Sequence, residues 1–184
     1  MRRIFAGALI LALLCVGAMA EMEAPIDRLL PDPNAGAYEP DPTPTPKPKP
    51  DDPNVMMPGW AEFRISAGEM DVRLPFYNPE VNEGWYDLTF ALWAALPEES
   101  ILTGVEKEYF SEEDEETGEV HEVLYAKLLQ SGVVPAGLYL QNVTLTQPVP
   151  NGTYRAFVHI QPYSVKTGAP TQVNGEVGIR LIAE

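Results

Sequence analysis

Acidic side chains are the residues of this chain most able to bind a metal ion, and many of them stand in one run at residues 112–119. Calcium in proteins prefers oxygen ligands of this kind, and weak calcium sites occur in extracellular modules. The run predicts a candidate calcium site at Glu112, Asp114, Glu116 and Glu119. Its order differs from that of an EF-hand, because glutamates replace the early aspartates and Gly118 is displaced. A solvated loop is the alternative interpretation of such a run.

The usual catalytic groupings are missing from the sequence. His121 and His159 stand apart, and neither has a cysteine or histidine at metal-binding spacing. No nucleophile elbow, phosphate loop or dinucleotide motif occurs. A glycosidase needs two carboxylates held at a fixed separation, which a loop of acids does not provide. We therefore predict a protein that binds rather than catalyses and needs no cofactor, with a small hydrolase at the acidic loop as the less favoured alternative.

Aromatic side chains indicate where such binding would take place. Trp93 falls on the outward positions of one predicted strand, and Phe157 and His159 fall on those of another. If the two strands are neighbours, these residues and Tyr163 form one exposed strip, and exposed apolar patches mark binding surfaces. Aromatic rings suit either an extracellular protein or the apolar face of a glycan. The alternative is that segment 97–120 covers the strip, or that a one-residue shift in register turns it inward.

Period-two alternation of apolar residues between residues 56 and 184 predicts the strands that would carry this strip. Seven segments alternate in this way: 60–65, 70–77, 86–96, 122–129, 138–145, 153–161 and 176–182. Their predicted inward residues include Met70, Leu74, Leu88, Phe90, Val158 and Leu181. We therefore predict an all-β domain, an immunoglobulin-like β-sandwich of about seven strands. A helix is the alternative at residues 119–129, but Val123 and Tyr125 favour a strand there.

Short motifs in this domain resemble those of a known group of folds. They are Phe76-Tyr77-Asn78-Pro79, Pro135-Ala136-Gly137 and Asn151-Gly152-Thr153-Tyr154. Their order is similar to that in immunoglobulin-like and fibronectin-III-like sandwich modules of bacterial surface proteins. With Met57-Pro58-Gly59-Trp60, the chain also resembles uncharacterised exported proteins of Gram-positive bacteria. The resemblance implies that Tyr154 forms a tyrosine corner and that the strands at 86–96 and 153–161 pair side by side.

The first part of the chain matches an export signal, predicted at residues 1–20. Two arginines precede an apolar run at residues 4–16, and Ala18-Met19-Ala20 fits the rule for cleavage before Glu21. An uncleaved membrane anchor is the alternative, and it is the only membrane contact that we expect. We therefore predict a protein that is secreted or held on the outer face of the cell membrane.

Cysteine usage bears on how the domain is stabilised. The single cysteine, Cys15, lies inside the predicted signal, so the exported part would contain no disulfide. A domain of this kind depends on its hydrophobic core, and we expect Trp85 and Phe90 to stabilise that core.

A proline-rich stretch separates the predicted signal from the predicted domain at residues 56–184. Residues 31–54 hold nine prolines, and alternating prolines exclude helix and sheet. Residues 21–55 are therefore predicted to be a disordered stalk, in which residues 40–53 would span roughly 40 Å as polyproline II. A docking motif for a proline-binding domain is the alternative.

Charge and length limit the classes of partner. The 184 residues leave room for one domain with accessory segments. The chain has 12 basic and 27 acidic residues, a formal net charge of −15. This balance argues against nucleic acid and against electrostatic docking on anionic lipid, both of which require a basic surface. An extracellular protein or glycan remains the predicted partner.

Overall fold

The computed structural model describes residues 31–37, 54–113 and 118–184, and these residues form an all-β fold. Two single-turn 3-10 helices, Glu80–Asn82 and Glu98–Ser100, interrupt the strands. Nine strands follow in chain order: β1 (Ala35–Ala37), β2 (Glu62–Ile65), β3 (Asp71–Tyr77), β4 (Tyr86–Ala94), β5 (Lys107–Glu113), β6 (Val120–Gln130), β7 (Leu138–Thr144), β8 (Gly152–Ser164) and β9 (Gly175–Ala183). Among these residues, no helix has the length and apolar character needed to cross a membrane.

The strands form two sheets that pack as an immunoglobulin-like β-sandwich. One sheet has six strands in the order β2-β9-β8-β4-β6-β5, and the other has three in the order β1-β7-β3. Every pairing is antiparallel except that of β2 with β9, which is parallel. The predicted all-β sandwich is confirmed, and so is the side-by-side pairing of β4 with β8. The strand predicted within residues 119–129 is confirmed as β6, and β1 and β5 are additional to the predicted seven.

Alternation along the strands explains how the core forms. In β3, Val72, Leu74 and Phe76 are buried, and the residues between them are exposed. The same alternation places one face of β8 in the core. Met70 is an exception, because it precedes β3 and is exposed, so its predicted inward position is wrong. The buried apolar residues from both sheets form one continuous cluster, which supplies the main hydrophobic stabilisation of a domain without disulfides.

Trp60, rather than Trp85, is the tryptophan that packs against the main core. Its indole makes edge-to-face contacts with three phenylalanine rings, those of Phe63, Phe76 and Phe90. Its Nε1 donates a hydrogen bond to the Pro75 carbonyl at 3.0 Å. The prediction for Trp85 is therefore wrong: this residue precedes β4 and is half-buried, with Lys166 Nζ 4.5 Å from its ring centroid. Phe90 is fully buried, as expected.

Tyr154 occupies the position that the family resemblance implied. Its hydroxyl lies 3.1 Å from the Pro150 carbonyl oxygen and 3.2 Å from that of Asn151. Both acceptors belong to the turn that leads into β8, so the hydroxyl ties the beginning of the strand to the preceding chain. This is the contact expected of a tyrosine corner.

Two buried asparagines connect four separate segments of the domain. The Asn78 amide donates to the carbonyls of Tyr86 at 3.0 Å and Val134 at 2.9 Å. The Asn82 amide donates to Asn78 Oδ1 at 2.8 Å and to the Met56 carbonyl at 2.7 Å, and its Oδ1 accepts the Met56 N–H at 2.9 Å. These bonds hold the chain before β2 against the beginning of β4 and satisfy polar groups that would otherwise be costly to bury.

Residues 31–37 belong to the folded domain, so the predicted stalk begins too early. Ala37 pairs with Leu138 of β7, and Ala35 pairs with Leu140. The Asp32 N–H donates to the Val133 carbonyl at 2.8 Å, and the Asp32 carboxylate accepts the Gly132 N–H at 3.0 Å. The high proline content predicted a stalk here, and a strand of only three residues gave no signal against that prediction. The predicted signal at residues 1–20 and the polyproline run at 40–53 lie outside the described residues.

Candidate functional site

The outer face of the six-stranded sheet carries all four residues of the predicted strip. Trp93 belongs to β4, and Phe157, His159 and Tyr163 belong to β8. The predicted face is therefore right, but the predicted exposure is not. Trp93 is only 6% exposed and Tyr163 only 7%, while Phe157 and His159 are half-buried. Segment 97–120 covers part of the strip, as in the alternative interpretation, because Phe110 contacts the rings of Trp93 and Phe157.

Four aromatic rings on this face form a second, smaller cluster, which we call the aromatic cluster. Its rings are those of Trp93, Phe110, Tyr125 and Phe157. The Trp93 and Phe157 rings are stacked, with centroids 6.1 Å apart and planes 11° apart. On the other side of Trp93, Lys127 Nζ lies 4.9 Å from the ring centroid, which is the geometry of a cation–π contact. Phe110 contacts the same ring edge-to-face at 5.7 Å.

The aromatic cluster requires the sheet to curl. Phe110 lies on β5 and Phe157 on β8, and two strands separate β5 from β8 in the sheet. In a flat sheet these strands would be about 14 Å apart. Their ring centroids are nevertheless only 5.0 Å apart, and Glu112 of β5 forms an ion pair with Arg155 of β8. The edge of the sheet therefore folds back over its own outer face and makes that face concave.

Glu112 is part of this closure. Its carboxylate accepts a hydrogen bond from the Tyr125 hydroxyl and pairs with the Arg155 guanidinium. Burial raises the pKa of the Tyr125 hydroxyl above its usual range, and the hydrogen bond to the Glu112 carboxylate raises it further. The hydroxyl therefore keeps its proton and remains a donor at all ordinary pH values.

The predicted calcium ligands are divided between two regions of the chain. Glu112 lies in β5 with its carboxylate already occupied, and the exposed Glu119 lies 3.9 Å from His121 Nε2. Asp114 and Glu116 lie outside the described residues. Within residues 31–37, 54–113 and 118–184, no three histidine, cysteine or acidic side chains gather closely enough to hold a metal ion. The calcium site therefore stays a prediction.

A groove of about 550 Å³ lies beside the aromatic cluster on the same concave face. Its floor contains Thr89 and Ala91, which lie four and two residues before Trp93 on the outward face of β4. These small side chains stand between longer ones, because Ala91 pairs with His159 on one side and with Gln130 on the other. The groove is lined by Thr89, Ala91, Lys127, Gln130, Ser131, Gly132, His159, Gln161, Tyr163 and Pro170.

Several polar side chains of the groove are held in place by their neighbours. The Gln161 amide donates to the carbonyls of Pro162 at 3.0 Å and Thr171 at 3.1 Å. His159 Nδ1 lies 3.5 Å from a carboxylate oxygen of Glu176. Since these contacts restrict the side chains, the groove presents a preformed polar surface.

Lys127 of the groove is also restricted by a neighbouring side chain. The sequence analysis did not identify this residue. Lys127 Nζ forms an ion pair with Glu106 at 2.8 Å. Gln161 was missed as well, and so were the floor residues Thr89 and Ala91. The signal for the floor was present, because outward positions two and four residues before Trp93 share its face of the strand. Small residues at these positions indicate a depression in that face.

Comparisons with known proteins assign this chain to no family. Neither the protein-family models nor the curated proteins contain a match. Among solved structures, the chain is similar to the PapD-like (ASH) domain 7 of human CEP192, at 15% identity and a TM-score of 0.31. That alignment covers 77% of this chain and 96% of the human domain. The fold assignment therefore depends on the sheets described above, and none of the comparisons supports the resemblance to exported proteins of Gram-positive bacteria.

Proposed function

We propose that this protein is a non-catalytic interaction module that binds a segment of a partner protein in the groove on the outer face of its six-stranded sheet. The observation that carries this proposal is the concave groove floored by Thr89 and Ala91. In this groove, a depression and oriented polar side chains lie beside the aromatic cluster. Binding sites of this kind combine an apolar body with a few fixed polar groups.

The composition of the groove favours a protein partner. Its lining mixes an aromatic residue, Tyr163, with amide, imidazole and ammonium groups from Gln161, His159 and Lys127. Backbone and side-chain groups of a peptide can satisfy such donors and acceptors. Because the groove side chains are already oriented, little conformational entropy would be lost on binding.

The same geometry argues against a glycan. A sugar-binding platform needs an aromatic ring with an accessible face. Trp93 is enclosed by Phe157 and Lys127, and Tyr163 is only 7% exposed. The glycan alternative therefore loses the exposed rings on which it was based.

An extracellular location belongs to the proposal as well. Its support is the export signal predicted at residues 1–20 and the high proline content of residues 40–53. The net charge of −15 is consistent with a partner surface that is neutral or basic.

Site-specific photo-crosslinking in the cells that produce the protein tests this proposal. A photoreactive residue at Gln161 should give one discrete protein adduct, and Ala91→Leu should abolish it by filling the groove. The matched control carries the photoreactive residue at Arg73, which is exposed on the three-stranded sheet. Equal adducts from both positions, or an adduct at Gln161 that persists with Ala91→Leu, would show that the groove is not the binding site.

A further inference from the structure

Strand β5 forms one edge of the six-stranded sheet, because it pairs with β6 and, within the described residues, with no other strand. We propose that this edge binds a basic segment of a partner protein in extended conformation, which extends the sheet by one strand. The site is separate from the groove on the outer face. A sheet edge binds a peptide in this way through backbone hydrogen bonds, and the neighbouring side chains provide specificity.

The backbone of β5 offers hydrogen-bonding groups at this edge. The Lys127 N–H donates to the Glu106 carbonyl at 2.8 Å, and the register of β5 with β6 contains no shift after that bond. In an antiparallel pair, the backbone groups of alternate residues point toward the partner strand and away from it. Those of Lys107, Tyr109 and Ser111 therefore point away from β6. All three residues are exposed, so an incoming strand can reach these groups.

The face of β6 that enters the main core continues beyond it as an exposed surface. Ala126 and Leu128 of this face are fully buried in the core. Leu124, on the same face, is half-buried, and Val120 is 66% exposed. Tyr109 of β5 lies opposite Leu124 and is 58% exposed. A strand added beside β5 would pack against the Tyr109 ring, and the removal of apolar surface from water favours binding.

Carboxylates around this edge favour a basic partner. Glu108 and Glu113 of β5 and Glu122 of β6 are exposed, and none of the three forms an ion pair or hydrogen bond with a described residue. Glu122 lies opposite Ser111, so it shares the face of Tyr109. Lysine or arginine side chains of an added strand would lie beside these carboxylates. Opposite charges on neighbouring strands stabilise their pairing.

The same charges argue against a second copy of this chain at the edge. Strand β5 contains three glutamates and one lysine. Pairing two copies along β5 would bring their glutamates together, and like charges on neighbouring strands are destabilising. Charged side chains on an edge strand are a common protection against such self-association. A strand of opposite charge does not meet this repulsion.

Fluorescence anisotropy with a labelled peptide tests the proposal on the full chain. The probe is a short peptide of alternating lysine and valine, and we expect saturable binding. The matched peptide alternates glutamate and valine and should not bind. No binding of the lysine peptide would mean that the glutamates only protect the edge from pairing, and would overturn the proposal. Equal binding of both peptides would overturn it as well.

Charge reversal locates the peptide on the chain. The combined variant Glu108→Lys, Glu113→Lys and Glu122→Lys should weaken binding of the lysine peptide by at least about tenfold, because three attractive contacts become repulsive. All three positions are exposed, so the substitutions leave the core intact. An affinity equal to that of the natural chain would contradict the proposed site.

A second triple variant controls for net charge. It carries Glu69→Lys, Glu80→Lys and Glu83→Lys, at exposed positions outside β5 and β6. The change in net charge is the same, but the affinity should fall by less than about threefold, since exposed charges distant from the site are screened by salt. Equal losses in the two triple variants would show that the peptide responds only to net charge, and would refute the site.

Hydrogen exchange of the natural chain tests whether the peptide adds as a strand. The amides of Tyr109 and Ser111 should exchange more slowly when the peptide is saturating, because their N–H groups become hydrogen-bonded. Phe110 is the internal control, since its N–H already points toward β6 and its exchange should change less. If the peptide binds but the exchange of Tyr109 and Ser111 is unchanged, strand addition at β5 is wrong.

Discussion

Trp93 lies between its two cross-strand partners, with Phe157 stacked on one side and the Lys127 ammonium on the other. Both neighbours come from strands that flank β4, so the indole is enclosed by its own sheet rather than by the opposite layer. The outer face therefore contains a small core of its own. Ala91, two residues earlier in the same strand, has no comparable bulk, and the groove begins there.

Replacing Trp93 by alanine should destabilise the domain strongly. The indole is only 6% exposed, and loss of a buried aromatic side chain typically costs about 3–5 kcal/mol. Urea unfolding followed by circular dichroism measures the change. Tyr109→Ala is the matched control, because Tyr109 is an aromatic residue on β5 that is 58% exposed, and it should change the free energy of unfolding by less than about 1 kcal/mol. Similar losses in both variants would mean that Trp93 is not buried.

The contact between Glu112 and Tyr125 should contribute more than that between Glu112 and Arg155. The Tyr125 side chain is buried and donates to a carboxylate, and such bonds contribute about 1.5–3 kcal/mol. The Arg155 side chain is 70% exposed, and exposed ion pairs contribute at most about 1 kcal/mol. Tyr125→Phe should therefore cost more than Arg155→Ala. A double-mutant cycle with Glu112→Gln measures each coupling, and a larger coupling to Arg155 would contradict this assignment.

Loss of the buried asparagine contacts should be costly. Asn78→Ala removes the donor for the carbonyls of Tyr86 and Val134 and the acceptor for Asn82. Each buried polar group left without a partner costs about 1–3 kcal/mol, so the domain should lose at least about 3 kcal/mol of stability. Thermal unfolding measures the loss, with Asn142→Ala as an exposed asparagine control on β7. An Asn78→Ala protein as stable as the control would refute the network.

Asp87 should make stability depend on pH. Burial raises the pKa of the Asp87 carboxyl, and a hydrogen bond from the Ala136 backbone opposes part of that shift. Because the folded state has the higher pKa, the contribution of Asp87 is greatest below the pKa of the unfolded state, and it is lost as pH rises through the folded-state pKa.

Asp87→Asn tests this sign. At pH 7 the variant should be more stable than the natural protein by less than about 1 kcal/mol, since the half-buried carboxyl is screened by water. The difference should shrink as pH falls toward about 4. Denaturant titrations at each pH measure it, and Glu69→Gln at an exposed position should show no such trend. If the variant is less stable than the natural protein at pH 7, burial does not destabilise the charged Asp87 carboxylate, and the cause given for its raised pKa is wrong.

The period-two alternation of apolar residues was sufficient to predict the β-sandwich. Alternation in β4, β8 and β9 identified Leu88, Val158 and Leu181 as inward residues, and all three are fully buried. It also identified the face on which Trp93 lies. The side chains that cover this face could not be predicted in the same way. Phe110 contacts Phe157 only because the whole sheet is curved, and this curvature depends on residues that are distant in the chain. Alternation within one strand carries no information about such curvature.

Other features were missed because the types of the residues alone do not indicate them. Pro31 and Pro33 made residues 31–37 look like part of a stalk, although prolines are compatible with a short edge strand. Asn78 stood out in the sequence only as part of the motif Phe76-Tyr77-Asn78-Pro79, and its buried hydrogen bonds depend on the position of Val134, which is distant in the chain. Trp60 and Trp85 have the same side chain, and only the assembled core distinguishes them.

The parallel pairing of β2 with β9 has a consequence for biosynthesis. Phe63 of β2 lies opposite Leu181 of β9, so these two strands cannot pair until the ribosome has added every residue between them. Domains dominated by such distant pairings fold slowly. The complete six-stranded sheet would therefore form only after Leu181 has been synthesised, whereas the pairing of β4 with β6 needs no residue beyond Gln130.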